Sequence, residues 1–236
     1  MRFQLLLDSK YLQLFKRSIA ENSWFVIPFL VFQIVSLYVV PFGDKTELFL
    51  SLHPQHNRVL DTIFTNASAM VEWWGWVAAA IIALFVKVRY GIYAVFTLLL
   101  SGLWALILKH EVYVNEMRPS FNIDHSLLQL VDGVNLHTHH SFPSGHTIAA
   151  FSIFTVLTMI LSKKYKPFGL LFFMVALIVG YSRIYLNQHY PVDVVAGSAV
   201  GFISCFLVFQ LSEIVFNKLA LNWAEKSFLS LFTPLG

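Results

Sequence analysis

Six runs of helix length that are nearly free of charged residues limit what this chain can fold into more than any other feature. They lie at residues 24–41, 73–86, 91–108, 147–162, 167–182 and 194–212. A helix needs about 20 residues to cross the bilayer core, so the shorter runs must include polar ends or pack against neighbouring spans. Charged residues form only 12% of the chain, about half the share in soluble domains. The sequence therefore predicts an all-α integral membrane protein with six transmembrane helices.

Basic residues in the connections predict the orientation of the spans. With a cytoplasmic N-terminus, 11 of the 16 basic residues lie on the cytoplasmic side. The five on the outer side are Lys45, Arg58, Lys109, Arg118 and Arg183. The last three lie at the ends of the third and fifth spans, and they need an explanation other than topology.

The chain is interpreted as one membrane domain over residues 1–236, because no repeat, low-complexity tract or linker marks a second domain. Residues 1–23 mix basic and apolar residues, which predicts a surface helix that lies along the membrane or is simply solvated. The outer loop at 42–72 contains NRVLDTIFTNA, whose apolar stripe predicts a short helix on the membrane, over a site or on the protein surface. The net charge of +3 follows from the basic inner loops, so nucleic-acid binding has no support.

Polar residues on the outer side fall into three clusters, each next to the end of a span. The clusters are KHEVYVNEMRPSF at 109–121, SFPSGHTIAA at 141–150 and YSRIYLNQHYPVDVVAG at 181–197. The guanidinium groups of Arg118 and Arg183 can each bind phosphate oxygens through two hydrogen bonds. We expect the three clusters to meet in one outward-facing pocket that binds a tetrahedral oxyanion.

The direction of two helices supports this interpretation. The fourth and sixth spans both run from the outer to the inner side, so their N-termini, near Ser144 and near Pro191, point towards the pocket. Proline suits the first turn of a helix, and the free amides and dipole at a helix N-terminus attract anions. The sequence therefore predicts a phosphate that faces two helix N-termini.

The two histidines in these clusters can take separate roles in phosphoryl transfer. His189 lies four residues before Asp193, which could hold one ring nitrogen while the other attacks phosphorus. His146 is free to protonate the departing oxygen as a general acid. The residues expected to bind the phosphate oxygens are Lys109, Arg118, Ser144, Gly145 and Arg183. This chemistry needs no metal and no cofactor.

Two of these motifs match a known family. PSGH at 143–146, and Ser182-Arg183 followed by His189 and Asp193, resemble the type 2 phosphatidic acid phosphatases (PAP2), relatives of the vanadium haloperoxidases. The resemblance implies a PAP2-like helical bundle, a phosphohistidine on His189, an acid role for His146 and an orienting role for Asp193. It also implies that the five residues named above are phosphate ligands.

The first family motif departs from the usual spacing. The family usually has a lysine, six residues and then Arg-Pro, whereas eight residues separate Lys109 from Arg118 and Glu111 stands at the usual lysine position. In a straight helix nine residues turn about 900°, which places the two cations on opposite faces. We therefore expect the helix to break between 110 and 117 with Lys109 as a ligand; the alternative is an anchor at the membrane surface.

Two other features have ordinary interpretations. The histidines of HTHH at 137–140 have no acidic or cysteine partner at ligand spacing, so a polar loop near the pocket is favoured over a metal site. The single cysteine, Cys205, lies within the sixth run and is interpreted as a packed apolar residue.

Three functions from different classes fit these observations. The first is a metal-independent phosphatase that removes phosphate from a membrane lipid, as a phosphomonoester or diphosphate, at the periplasmic face of a bacterial inner membrane. The second is a lipid phosphotransferase on the same scaffold. The third is a lipid binder or transporter, which is disfavoured because the ionisable residues cluster at one end of the spans. The expected partner is a phosphorylated lipid, with no obligate protein partner. Phosphatidic acid, phosphatidylglycerol phosphate, undecaprenyl diphosphate and lipid A all fit.

Overall fold

The computed structural model describes residues 9–40 and 44–231, and the regular secondary structure in these ranges is helical. The α-helices are α1 (Ser9–Glu21), α2 (Ser23–Val39), α3 (Lys45–Leu52), α4 (Arg58–Ala69), α5 (Trp73–Val86), α6 (Val88–Ile107), α7 (Pro119–Asn122), α8 (Gly145–Ile160), α9 (Phe168–Tyr185) and α10 (Pro191–Leu219). A π-helical turn, Leu108–Val112, continues α6. Short 3-10 turns lie at His125–Leu127, Lys163–Tyr165, Asn222–Glu225 and Leu229–Leu231. The predicted all-α class is confirmed.

Three helices are long and apolar enough to cross a membrane alone: Val88–Val112, Phe168–Tyr185 and Pro191–Leu219. Two further pairs of helices are long and apolar enough to cross a membrane when the two helices of each pair are counted together. The helices α1 and α2 meet at an 89° bend, and α4 and α5 meet at a 59° bend. Within the described ranges this gives three to five candidate spans of a multi-pass membrane protein. Each of the six predicted apolar runs coincides with a helix. The total of six spans stays a prediction, because it also requires the shorter helix α8 to count as a span.

The helix α8 is short because it lies inside the bundle. Its 16 residues are about 24 Å long at 1.5 Å per residue, less than the roughly 30 Å of the hydrocarbon core. Twelve of these residues are buried, and α8 packs against α5, α6, α9 and α10. Because protein surrounds it, its ends do not have to reach the membrane surface. The N-terminus of α8 can therefore lie at the base of a pocket that opens outwards.

Glycines set the distance between α8 and α10. A Cβ atom on Gly197 would lie 2.7 Å from the carbonyl oxygen of Ser144, and one on Gly201 would lie 2.4 Å from that of Ile148. Such close backbone contact is typical of small residues at membrane helix interfaces. The Ser144 amide also donates to the Asp193 carbonyl at 3.0 Å. These contacts place the N-termini of α8 and α10 side by side, as the sequence predicts.

The two predicted segments outside the six runs both contain helices, α1 in the N-terminal segment and α3 and α4 in the outer loop. Residues 1–8 of the N-terminal segment and residues 41–43, at the junction of the first run and the outer loop, lie outside the described residues. The outer-loop helix is α4, which begins after Asn57, whose side chain accepts hydrogen bonds from two amides of the first turn. Phe64 of α4 packs on Tyr181 and Tyr185 of α9, whereas Val59 on the same predicted stripe is exposed. The structure shows this helix packed against α9, and its position relative to the membrane stays a prediction.

Charged pairs connect helices at the end of the bundle that the sequence predicts to be cytoplasmic; this end is called the inner end, and the opposite end is called the outer end. Arg89 at the start of α6 lies 2.9 Å from Glu213 of α10, and it also contacts Glu225. Lys87 lies 2.7 Å from Glu225, so one C-terminal turn bridges both basic residues. These basic residues, which sequence analysis assigns to the inner side, therefore meet carboxylates there.

Candidate active site

His189 and Asp193 form the centre of the site. His189 lies in the turn between α9 and α10 and is only 1% exposed. Its Nδ1 lies 3.3 Å from Oδ2 of Asp193, which also accepts hydrogen bonds from the Tyr190 amide, at 3.0 Å, and from the Ser141 hydroxyl. When Nδ1 donates its proton to this carboxylate, Nε2 carries the lone pair. The pair therefore presents Nε2 for chemistry, as the spacing of the two residues predicts.

The environment of His189 favours its neutral form. Burial lowers the pKa of His189 well below its usual value, and the positive charges of Arg118, Arg183 and Lys109 lower it further. A histidine with a depressed pKa remains unprotonated near neutral pH, and the neutral imidazole is the nucleophilic species.

Arg118 immediately precedes α7 and is held by neutral groups. Its Nη1 lies 3.0 Å from Oε1 and 3.3 Å from the carbonyl oxygen of Gln188, and its Nε donates to the carbonyl of His139 at 2.9 Å. Burial lowers the pKa of Arg118, although an arginine stays charged at any physiological pH. These contacts fix the direction of the guanidinium group without neutralising its charge.

Arg183 lies in the last turn of α9 and is 7% exposed. Its Nη1 donates to the hydroxyl of Ser68 on α4. Its Nε is buried and has no hydrogen-bond partner in the described part of the chain. Because a buried donor without a partner is costly, this atom marks a place where a bound anion would complete the hydrogen bonding.

Lys109 lies in the π-helical turn that follows α6. Its Nζ donates to the carbonyl of His140 at 2.9 Å, and Nδ1 of His140 lies 3.3 Å from the Lys109 carbonyl. The helical turns end at Val112, which confirms the predicted break between 110 and 117. A π turn is wider than an α turn and rotates the residues that it contains, which accommodates the unusual spacing to Arg118. Glu111, at the usual lysine position, is exposed.

The PSGH segment forms the start of α8. Ser144 is fully buried, and its hydroxyl accepts hydrogen bonds from the amide and, at 2.9 Å, the hydroxyl of Thr147. This capping role differs from the phosphate-binding role predicted for the Ser144 hydroxyl, which remains untested. A Cβ atom on Gly145 would meet nothing within 4 Å, so open space lies next to the first amides of the helix. Those amides can bind an anion in that space.

His146 lies beside a cavity of about 260 Å³ that is also lined by Arg183, Gln188 and His137. The electrostatic interactions of His146 with Arg183, His189, Arg118 and Lys109 place it among the same groups. The structure thus brings the eight predicted site residues to one end of the bundle, around the N-termini of α8 and α10. Their catalytic and ligand roles stay predictions.

The HTHH loop contributes its backbone to the site. The carbonyls of His139 and His140 accept hydrogen bonds from Arg118 and Lys109, and that of His137 accepts one from Ser120 at 2.6 Å. In the described ranges, no group of three His, Cys, Asp or Glu side chains could hold a metal ion. The loop therefore orients the cations, which agrees with its interpretation as a polar loop near the pocket.

Sequence analysis missed three residues that support the site. Ser141 and Gln188 are adjacent to recognised motifs, and a hydroxyl or amide at such a position is a weak signal that could have suggested a role. Ser68 gives no local signal, because its contact with Arg183 joins residues that are 115 positions apart.

Comparisons with known proteins agree with this geometry. Residues 90–216 match the PAP2 superfamily. Undecaprenyl-diphosphatase BcrC of Bacillus subtilis is 28% identical over 178 residues, covering 72% of this chain and 84% of that protein. A lipid A 1-phosphatase of Rhizobium johnstonii is 29% identical over 132 residues. The crystal structure of Aquifex aeolicus LpxE has a TM-score of 0.62 and 25% sequence identity, covering 73% of this chain and 98% of that chain.

The family match extends from α6 through most of α10, so it includes every predicted site residue. Within it, two histidines near helix starts lie at the same end of the bundle as one buried cation, Arg183, and two partly buried cations, Lys109 and Arg118. The chain belongs to the PAP2 superfamily, whose membrane members include lipid phosphate phosphatases. The matched region spans 52% of the length of the Rhizobium relative.

Proposed function

We propose that this chain is a metal-independent phosphatase that removes phosphate from a membrane lipid through a phosphohistidine on His189. The observation that carries the proposal is the contrast between charge and hydrogen bonding around His189. Lys109, Arg118 and Arg183 act on the ring by their positive charge, yet their hydrogen bonds go to carbonyl, amide and hydroxyl groups, and they form no ion pair within 4 Å in the described residues. Cations without an ion-pair partner stabilise a bound anion.

In the proposed first step, Nε2 of His189 attacks phosphorus while the bond to the lipid oxygen breaks. His146 gives its proton to the departing oxygen, and Asp193 stabilises the positive charge that develops on His189. The negative phosphate next to His146 favours the protonated form that this step needs. The cations and the first amides of α8 stabilise charge on the equatorial oxygens.

In the second step, water attacks the phosphohistidine and His146 accepts a proton from it. Phosphate leaves, and both histidines return to their starting forms. A phosphotransferase would share the first step and replace water with the hydroxyl or phosphate of a second lipid. Analysis of the products separates these two functions, because only hydrolysis releases inorganic phosphate.

The substrate proposed is a lipid phosphomonoester or diphosphate. The relatives named above act, by their names, on lipid A and on undecaprenyl diphosphate, and both compounds present a terminal phosphate group. We further propose a single domain over residues 1–236, with six spans that include α8, in a bacterial inner membrane.

Phosphate release by the purified protein tests this function, measured against phosphatidic acid, phosphatidylglycerol phosphate, undecaprenyl diphosphate and lipid A. We expect at least one lipid to be hydrolysed, His189→Ala to abolish turnover, and EDTA to have no effect, because the proposed chemistry is covalent and metal-free. Retained turnover in the variant, or a loss with EDTA that zinc restores, contradicts the mechanism.

The periplasmic location of the site is tested by labelling in intact spheroplasts. In a Cys205→Ser background, Asp132→Cys in the loop before α8 should react with an impermeant maleimide, whereas Tyr165→Cys between α8 and α9 should not. Both positions are exposed in the structure, so lysed cells should label both. The reverse pattern would place the site in the cytoplasm.

A further inference from the structure

The cavity beside His146 extends beyond the space that a phosphate needs. One wall is built from α4 and the bend that joins it to α5, through Thr65, Ser68 and Glu72. The opposite wall is the loop before α8, which includes Asn135. His146 and Arg183 complete the lining. This wall from α4 and the bend is called the elbow below.

The position of His146 determines what this cavity holds. In an in-line displacement the departing oxygen lies opposite the attacking atom, and the general acid must reach that oxygen. His146 lines the cavity, whereas the proposed nucleophile His189 does not. The cavity is therefore on the side of the leaving group, and the elbow faces the first atoms of the lipid beyond the scissile bond.

The elbow offers hydrogen-bond acceptors and a negative charge. Glu72 directly precedes α5, yet its side chain makes no capping hydrogen bond to that helix. Glu72 lines the same cavity as Arg183 and is exposed, so its charge is accessible to a molecule in the cavity. An ionised carboxylate accepts strong hydrogen bonds from hydroxyl groups and repels other anions. Ser68 of the same elbow binds Arg183 directly, which fixes the elbow relative to the phosphate ligand.

We infer that the elbow is the leaving-group subsite and that Glu72 selects lipids whose leaving alcohol carries a further hydroxyl group, as a polyol or sugar does, over lipid diphosphates. When a diphosphate reacts, the leaving group is itself a phosphate, which Glu72 would repel. When a polyol phosphate reacts, the leaving group donates a hydrogen bond to Glu72. The inference rests on the proposed function, because it takes His146 as the acid.

The experiment compares kcat/KM for two substrates, phosphatidylglycerol phosphate, whose leaving glycerol carries a free hydroxyl, and undecaprenyl diphosphate, whose leaving group is a phosphate. Glu72→Ala should lower kcat/KM for the first about tenfold, since one hydrogen bond to a charged group is lost. It should leave kcat/KM for the second unchanged or raise it. Glu72→Gln keeps the shape of the side chain and removes its charge. It should raise kcat/KM for undecaprenyl diphosphate, and it should lower kcat/KM for phosphatidylglycerol phosphate less than Glu72→Ala does.

Glu47→Gln is the matched control. Glu47 is exposed in the first turn of α3, on the outer side, and its substitution removes one negative charge without touching the cavity. It should leave the ratio of the two kcat/KM values unchanged. Melting curves in detergent report whether the variants fold. If Glu72→Ala does not fold, the ratio of the two kcat/KM values in Glu72→Gln tests the inference.

Equal changes in kcat/KM for both substrates in the Glu72 variants would overturn the inference. The proposed function fails by a different result, namely turnover that survives His189→Ala. If His189→Ala abolishes turnover while the Glu72 variants leave the substrate ratio unchanged, the function stands and the role of Glu72 is wrong.

Discussion

The two ends of this helical bundle both contain arginine and lysine, and they use them differently. At the inner end, Arg89 meets Glu213 and Glu225, and Lys87 meets Glu225. Each of these positive charges has a carboxylate partner within hydrogen-bond distance. The inner cations therefore join α6, α10 and the C-terminal turn, and little of their charge remains for other groups.

At the outer end, Lys45 lies 3.3 Å from Glu116, whereas the three cations of the candidate site have neutral hydrogen-bond partners. Lys109 donates to the carbonyl of His140, Arg118 donates to carbonyls and to the Gln188 side chain, and Arg183 donates to Ser68. These hydrogen bonds fix the directions of the side chains without an ion pair. The comparison teaches that the partner, and not the type of basic residue, separates the ion-paired cations from those of the candidate site. Neutral partners alone do not define a site, because Lys166 at the inner end also donates to Asn22 and to two carbonyls.

Removal of Arg183 should have the largest effect on catalysis among the cations. Arg183→Ala removes a buried guanidinium group next to the proposed phosphate, and we expect kcat/KM to fall about a thousandfold. Arg183→Lys should restore part of this loss, because an ammonium group keeps the charge and lacks the planar fork. Steady-state kinetics on the lipid with the highest parent activity measure both variants. If Arg183→Ala has a near-normal kcat/KM, then this cation does not bind substrate and the proposed difference between the cations of the two ends is wrong.

Removal of Lys109 should have a smaller effect. Lys109→Ala loses one charge-assisted contact in the transition state, which costs roughly 3 kcal/mol, or about a hundredfold in kcat/KM. Glu111→Ala is the matched control, because Glu111 is exposed in the same π-helical turn, and it should change kcat/KM little. If Lys109→Ala keeps near-normal kcat/KM while Arg118→Ala loses activity, Lys109 is an anchor and not a ligand.

Removal of Arg89 should affect stability and leave catalysis nearly unchanged. Arg89→Ala leaves Glu213, whose side chain is 13% exposed, without its cation, and the loss of one partner from a largely buried pair costs about 3 kcal/mol. We expect a lower melting temperature in detergent and a normal kcat for the folded fraction. A large drop in kcat at an unchanged melting temperature would show that the inner cluster acts on the site.

Much of the fold and of the site follows from local patterns, and the remainder depends on contacts between distant segments. The apolar runs predict where the membrane helices lie, because each run needs only its own residues to be recognised. The pairing of His189 with Asp193 is local as well, since one helical turn separates them. The bends of 89° after α1 and 59° after α4 are not predicted by such patterns.

The same division applies within the site. The π-helical turn at Lys109 is stabilised by bonds to His140, which is 31 positions away, and the support of Arg183 by Ser68 joins two different helices. Neither contact can be predicted from the spacing of nearby residues in the sequence. The motifs therefore predict which residues meet at the site, while the groups that orient these residues require the three-dimensional structure.

The glycine contacts between α10 and α8 also have a consequence for biosynthesis. His189 and Asp193 reach the cations of the outer end only when Gly197 and Gly201 have packed against the backbone of α8. Since α10 follows the other nine α-helices in the chain, the ribosome completes it after they have been made. A nascent chain in the translocon that still lacks α10 contains His189, which precedes that helix, but lacks Asp193 and the helix start that fix the position of the histidine. The proposed site is therefore complete only after α10 has been made.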